Sequence, residues 1–299
     1  MAEKRSREFW LLAAFFALFV LFMYGPMLVI VVLSFQGPEG GLTFPMRGWS
    51  LHWFYKLAEG LGVVDISAAL KRSLGLGLVV MAITVVLSVL AGLAFRKKLW
   101  GGSVLFLVVV ASLIMPSIIV SLGIGLEFRL LDSAIKKGLE EFGMASALEG
   151  FGTSLGLYTS ALGAHLTWTL PFGLLIMFAV FNRFNPAYEE AARDQGATSW
   201  QTIRHVVLPI IAPSLFGIAL FGFTLSYDEF ARTLLTAGSY NTLPLEIYGM
   251  TTNVTTPVIF ALGTLTTVFS LLVIGSFLMT MMALNRRRAR AGSDAGKGV

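Results

Sequence analysis

The chain has 299 residues, of which 56% are hydrophobic and only 13% are charged, and its mean hydropathy is +0.78. A soluble domain has about 45–50% apolar and about 25% charged residues, so the composition excludes a water-soluble globular protein. The net charge of +5 does not indicate nucleic-acid binding, because the basic residues flank apolar segments. The absence of cysteine excludes disulfides and thiolate chemistry, and the three histidines lie too far apart in sequence to predict a metal site.

The apolar residues form six blocks of about the length that a helix needs to cross a hydrocarbon core about 30 Å thick. The first block resembles a signal peptide, but it is too long and lacks a small-residue cleavage pattern, so we expect an uncleaved first span. The sequence therefore predicts an all-α polytopic membrane protein with about six transmembrane helices. The predicted spans are residues 9–35, 73–95, 103–126, 158–181, 210–231 and 258–284.

Prolines fall inside or at the ends of four of these spans and predict kinks in a packed bundle: Pro26, Pro116, Pro171 and Pro213. The whole chain is interpreted as one transmembrane domain, 1–299, with its core at about 67–284. The last residues, 291–299, are small and polar, and they predict a disordered tail.

Four groups of basic residues set the predicted orientation. They lie at residues 4–7, 96–98, 183–204 and 286–290, and six spans place all four on one side of the membrane. The positive-inside rule makes this side cytoplasmic, so both termini are expected in the cytoplasm.

The three outer loops have different characters. Residues 36–72 contain aromatic side chains of the kind that lie at the headgroup level of a bilayer. Residues 127–157 include a stretch from Asp132 to Phe142 whose apolar positions predict a short amphipathic helix. Residues 234–257 contain a glycine, a proline and several threonines, and they predict an irregular loop.

The polar segment between spans four and five, residues 185–208, predicts a helix, a bend and a second helix. Asn185 is a strong helix N-cap, and Pro186 suits the first helical position. Gly196 is able to end the first helix in a left-handed conformation, and residues 199–207 have helical spacing. On the side where positive charge concentrates, this segment is either a docking surface for a cytoplasmic protein or an ordinary amphipathic connector.

Within this segment, Glu190-Ala191-Ala192 is followed by Gly196 and later by Leu208-Pro209. This pattern resembles the signature loop of bacterial ATP-binding-cassette (ABC) importer permeases. Other similar stretches follow in order along nearly the whole chain, including residues 48–54 and 115–119. The resemblance implies a type I ABC importer permease (MetI-like) fold in the bacterial inner membrane.

One subgroup of this family fits best. Residues 226–230, 236–238 and 242–248 resemble the spermidine/putrescine permeases, although the outer loop 127–157 is longer than is usual there. The implied substrate is a polyamine. Two alternatives stay open: the same machine for a ferric ion, thiamine, an opine or an amino acid derivative, and a proton-coupled secondary carrier. The helix–bend–helix segment and the absence of an evident inverted repeat speak against the carrier.

The resemblance also implies the partners and the coupling residues. A dimer of ATPase subunits would bind ATP and Mg, a second permease copy or sister chain would complete the pathway, and an outer solute-binding protein would deliver the solute. The chain itself has no phosphate-binding loop, so it is not expected to be an enzyme or to hold a cofactor. The residues that would couple to the ATPase are Glu189, Glu190, Ala191, Ala192, Gly196, Leu208 and Pro209.

An acidic pair, Asp228 and Glu229, lies late in the predicted fifth span, and acidic residues inside a membrane are candidates for function. One of them could meet a cationic substrate, with Tyr227 and Trp168 offering aromatic faces to the cation. Alternatively, the acids pair with Arg232, which follows at helix-surface spacing, or with another subunit. A lone histidine in the fourth span, His165, is interpreted as a packed core residue.

Overall fold

The structure is a computed structural model that describes residues 7–60, 65–96, 100–253 and 256–295. Within these ranges the regular secondary structure is helical, apart from an isolated antiparallel bridge between Gln36 and Trp49. The helices are α1 (Arg7–Leu33), α2 (His52–Glu59), α3 (Ile66–Phe95), α4 (Gly102–Ile114), α5 (Ser117–Glu141), α6 (Ala145–Gly150), α7 (Leu162–Asn182), α8 (Ala187–Asp194), α9 (Ser199–Thr202), α10 (Leu208–Tyr227), α11 (Leu243–Asn253) and α12 (Val258–Ala295). A π-helical turn precedes α7 at Leu157–Ala161 and another precedes α10 at Ile203–Val207.

Five helical segments in the described ranges are long and apolar enough to cross a membrane, and they correspond to predicted spans one, two, four, five and six. The third span differs from its prediction. The kink expected at Pro116 is a bend of 110° between α4 and α5, so residues 103–126 do not form one continuous helix. The bend follows from proline chemistry, because Pro116 forces the preceding Met115 into an extended conformation with ψ of 131°. If the bent pair is counted as one span, the total is six.

The loop after this bend, predicted at residues 127–157, is more helical than expected. The predicted amphipathic helix is present, but it is the second half of α5 rather than a separate element. Asp132 joins α5 to the end of the loop, because its carboxylate accepts hydrogen bonds from the Ser154 backbone amide at 2.7 Å and from the Thr153 hydroxyl at 2.5 Å.

Two segments that were predicted to be irregular are partly helical in the structure. The chain between α10 and α11 is irregular over residues 228–242, but residues 243–253 form a helix, so the prediction of an irregular loop over 234–257 is wrong for that part. Helix α12 continues to Ala295, into the predicted tail, and residues 296–299 lie outside the described ranges.

The chain divides into two compact units. The first comprises Met1–Asp65 and Ile247–Leu272. In the loop after α1 the fully buried Gln36 side chain organises the backbone, since its oxygen accepts a hydrogen bond from the Arg47 amide at 2.7 Å. Among the predicted headgroup-level aromatics of this unit, Trp49 is exposed but Trp53 is buried.

The second unit comprises Ile66–Glu246 and Val273–Val299, and it carries both candidate sites. Helices α3, α7 and α10 pack together around an apolar cluster of fully buried side chains, Met177, Val207, Ile211 and Ile218. A buried hydrogen bond of 2.7 Å joins the hydroxyls of Thr84 on α3 and Thr169 on α7. Small residues allow this close approach, as is common between membrane helices.

Candidate functional site

The predicted helix–bend–helix is present between α7 and α10. Helix α8 begins at Ala187, one residue later than the sequence predicted, and Pro186 rather than Asn185 is its N-cap. The Asn185 side-chain oxygen accepts a hydrogen bond from the Ala187 amide at 3.0 Å. Glu189 and Glu190 lie in its first turn, where carboxylates interact favourably with the helix N-terminus.

The bend has the left-handed geometry that the sequence predicted. Gly196 has φ of +83°, and its amide donates to the Arg193 carbonyl at 2.8 Å. The Ala197 amide donates back to the Ala192 carbonyl at 3.0 Å, which satisfies the carbonyl groups at the end of α8.

The second helix begins with a reciprocal cap. The Thr198 hydroxyl accepts from the Gln201 amide at 3.3 Å, and the Gln201 side chain accepts from the Thr198 amide at 2.8 Å. After α9, the π-helical turn leads directly into α10, where Leu208 is the first residue and Pro209 lies in the first turn. Proline is tolerated there because the first amides of a helix have no partner within it.

The surface of this segment is polar and open. Glu190 and Ala191 are exposed, and Ala192 is half-buried. Trp200, which sequence reasoning did not single out for docking, is 64% exposed. A groove of about 440 Å³ lies at the bend and is lined by Gln195, Gly196, Ala197, Gln201, His205 and Val206.

Glu189 does not belong to that exposed surface. Its side chain is only 12% exposed and bonds to two arginines, with distances of 2.5 Å to Arg96 Nη1 and 3.3 Å to Arg193 Nη2. Sequence reasoning assigned Glu189 to the contact with the ATPase and treated Arg96 only as part of a basic group. The pair joins α8 to the end of α3, residues far apart in sequence, so no local pattern predicts it.

The acidic pair lies just beyond the end of a helix. Helix α10 ends at Tyr227, so Asp228 and Glu229 follow the fifth span rather than lying inside it. Asp228 is exposed, and its side chain makes no hydrogen bond with the described residues. Glu229 is half-buried, and its Oε1 accepts from the Arg232 backbone amide at 2.9 Å. Partial desolvation by the surrounding protein raises the pKa of the Asp228 carboxyl, and the charge of Glu229 raises it further.

The ion pair considered between these acids and Arg232 is not formed. No salt bridge within 4.0 Å joins the Arg232 guanidinium to Asp228 or Glu229 in the part of the chain described here. Instead, the fully buried guanidinium lies 4.6 Å from the centre of the Trp168 ring and donates from Nη1 to the Ser117 hydroxyl at 3.1 Å. Its Nε and Nη2 have no hydrogen-bond partner among the described residues.

This arrangement changes the expected roles of the two aromatic residues. Trp168 already stacks against an internal cation, Arg232, and its ring meets Phe172 edge-on at 5.4 Å. Tyr227 is buried, and its ring stacks on Phe223 at 5.7 Å with an angle of 12° between planes. Of the four residues predicted for the substrate pathway, only Asp228 presents an exposed side chain.

His165 is a packed core residue, as predicted. Its ring is buried between the Ser226 hydroxyl, 2.7 Å from Nδ1, and the Thr233 hydroxyl, 2.8 Å from Nε2. It therefore links α7 both to the end of α10 and to the irregular segment that carries Asp228.

Comparison with known proteins adds the family. Residues 84–291 match the family described as binding-protein-dependent transport system inner membrane component. The chain belongs to this family. It is thus a permease subunit of an ABC importer, a multi-pass inner-membrane protein and not itself an enzyme. The ATPase of such an importer is a separate subunit, and a binding protein is a further partner.

Curated relatives and solved structures agree with this assignment. The permease is 28% identical over 280 residues to the spermidine/putrescine transport system permease protein PotC of Haemophilus influenzae, covering 91% of this chain and 97% of that protein. It is 26% identical over 259 residues to PotC of Escherichia coli K12, covering 85% and 87%. Its fold matches a chain of a bacterial ABC transporter involved in import of the acidic polysaccharide alginate, with a TM-score of 0.66 at 17% identity over 92% of this chain and 96% of that one.

Proposed function

We propose that this permease forms one half of the membrane pathway of an ATP-driven importer for a polyamine-class cation. The observation that carries the importer is the capped, exposed helix–bend–helix at residues 185–208, whose glycine has the left-handed geometry that such a bend requires. Relatives named as spermidine/putrescine permeases supply the argument for the cargo class.

In this proposal, the exposed side of α8 and the groove at the bend receive a partner ATPase on the cytoplasmic side of the membrane. Glu190, Ala191 and Gly196 form the contact, while Leu208 and Pro209 connect it to α10. The ATPase dimer binds ATP and Mg, and its closure moves α8. A second permease chain, either a copy or a sister, completes the pathway, and both termini of this chain lie in the cytoplasm.

In this proposal the cationic substrate contacts Asp228 in preference to Glu229. It is the exposed carboxylate of the acidic pair, whereas Glu229 is already engaged by the Arg232 amide. An ammonium group at about 4 Å from a carboxylate gains about 4 kcal/mol at the effective dielectric near a protein surface, before desolvation is subtracted. The Arg232 guanidinium stacks on Trp168 and forms no salt bridge with Asp228 in the described part of the chain, so that carboxylate is not neutralised by it.

Uptake of labelled spermidine by membrane vesicles that contain the permease and its partners tests the proposal. We expect uptake to stop when ATP is exhausted and to survive collapse of the proton gradient. The reverse result identifies a secondary carrier and refutes the importer. Active, ATP-dependent transport of a different solute would retain the importer and reject the polyamine.

The acidic residue is tested separately. Asp228→Asn should lower spermidine uptake by about tenfold or more, since a lost charge contact of about 1.4 kcal/mol corresponds to a factor of ten. Glu140→Gln is the matched control, because Glu140 is an exposed acidic residue at the end of α5. Equal uptake by both variants would remove Asp228 from the pathway.

A further inference from the structure

We propose that Arg96 is a positioning residue that ties the coupling helix α8 directly to the cytoplasmic end of α3. This inference rests on the proposed function. In the assembled importer, the link transmits the ATP-driven movement of α8 to α3, in addition to the helices α7 and α10 that flank α8 in the chain. The Arg96 guanidinium forms an ion pair of 2.5 Å with the Glu189 carboxylate on α8.

The Arg96 guanidinium is held on three sides. It bonds to Glu189 on α8, and it lies 5.0 Å from the ring centre of Phe181 and 5.2 Å from that of Phe184, at the end of α7. A cation over aromatic faces gains electrostatic energy from the rings, and the rings also restrict the guanidinium. The side chain is 25% exposed, which leaves it less screened than a surface arginine.

Glu189 is equally constrained. Its two oxygens bind different arginines, Arg96 directly after the end of α3 and Arg193 one turn later on α8. Neighbouring residues on a helix point about 100° apart, so holding Glu189 inward turns Glu190 outward. Glu189 therefore faces the end of α3, while the exposed Glu190 stays available to a partner.

The chain connectivity shows why this link matters. Helix α8 lies between α7 and α10, so these two helices receive its movement through the backbone. Helix α3 is not adjacent to α8 in sequence, and it packs on α7 and α10. The Arg96–Glu189 pair is a direct charged connection between α8 and α3 at the end where the ATPase would dock.

A topological role alone does not require this geometry. Any positive charge at the end of α3 satisfies the positive-inside rule. Replacement by lysine keeps the charge and can keep the ion pair, but it loses the planar contact with the phenylalanine rings. Replacement by glutamine removes the ion pair. These variants separate the effect of Arg96 on the orientation of the chain in the membrane from its effect through the ion pair with Glu189.

The test uses the assembled transporter and a probe that does not depend on the cargo. The chain has no cysteine, so Ala94→Cys places a single thiol on the exposed part of α3 near its end. The measurement is the change in the rate of maleimide labelling when ATP and vanadate are added. Arg96→Gln, Glu189→Gln and the double variant are made in this background, with Arg96→Lys and the exposed Arg183→Gln as controls.

We expect ATP to change the labelling rate in the Ala94→Cys background. Arg96→Gln and Glu189→Gln should each reduce that change by about fivefold, the effect of losing a partly exposed ion pair. The double variant should lose no more than either single variant, because both remove the same link. Arg183→Gln should leave the response unchanged, and Arg96→Lys should keep most of it. Co-purification of the ATPase should be the same in all variants.

Several results would overturn the proposed link between Arg96 and Glu189. These are an unaltered ATP response in Arg96→Gln, losses that multiply in the double variant, or loss of ATPase co-purification in Arg96→Gln with no recovery in Arg96→Lys. The proposed function fails in a different way. If the Ala94→Cys permease with Arg96 unchanged co-purifies with no ATPase, or shows no response to ATP, the importer mechanism is wrong. The role of the Arg96–Glu189 link then falls with it.

Discussion

Gly196 is the position where the coupling segment is most sensitive to a small change. Its φ of +83° lies in the left-handed region, which costs a residue with a Cβ about 1–2 kcal/mol. A Cβ built at this position meets no atom of the rest of the protein within 4 Å, so the cost comes from the local backbone conformation and not from a clash with packed neighbours. The substitutions should therefore rank by backbone preference alone.

Asparagine tolerates the left-handed region, alanine does so poorly, and a β-branched valine is the least tolerant. We expect Gly196→Asn to couple nearly as well as the wild type. Gly196→Ala should lose about fivefold and Gly196→Val about tenfold or more of the transport obtained per ATP hydrolysed, since about 1.4 kcal/mol corresponds to a factor of ten. The reason is that relief of strain at the bend changes the angle between α8 and α9.

The assay is solute uptake and ATP hydrolysis measured together in vesicles, with the amount of inserted permease as a check. Gly217→Val is the matched control, because a Cβ at Gly217 also meets no atom within 4 Å but the residue lies inside α10 without a positive φ. Full coupling in Gly196→Val, or equal losses in the asparagine and valine variants, would refute the reasoning.

Two other changes test the packing around the sites. Thr198→Ala removes the reciprocal cap with Gln201 and should destabilise α9 by about 1 kcal/mol, measured as faster hydrogen exchange of the α9 amides, whereas Thr198→Ser should behave as the wild type. Gly173→Ala puts a Cβ 2.0 Å from the Ser88 hydroxyl and should cost about 1–3 kcal/mol, seen as a lower Tm in detergent. Adding Ser88→Ala should recover part of that loss, and no recovery would show that the clash lies elsewhere.

The coupling segment was predictable in detail because its determinants are local. The left-handed glycine at Gly196 acts within a few residues, and the structure shows it as predicted. The start of α8 is also set locally and lies one residue beyond its prediction, at Ala187, where the amide bonds to the Asn185 side chain. The spans were predictable for a similar reason, since the length of an apolar block decides whether it can cross a bilayer. The bend at Pro116 was expected as a kink, but its size of 110° depends on how α4 and α5 pack.

The candidate substrate site was less predictable. Spacing alone allowed Arg232 to pair with Asp228 or Glu229, but the guanidinium is buried against Trp168 and bonded to Ser117. That choice depends on α5 and α7, which contribute these partners from distant parts of the chain. Because α10 ends at Tyr227, both acids lie in the irregular segment and not in the predicted helix. The spacing rule for pairs on a helix surface therefore does not apply to them.

From the amino-acid order alone came the membrane class, the positions of the spans and the capped bend, because hydropathy, capping and backbone preference act over short stretches of chain. Only the tertiary structure decided that Glu189 turns inward to Arg96 while Glu190 stays outside, and that Arg232 stacks on Trp168. The physical reason is that a charged side chain takes the partner that best offsets its desolvation, and that partner is supplied by whichever helix packs beside it.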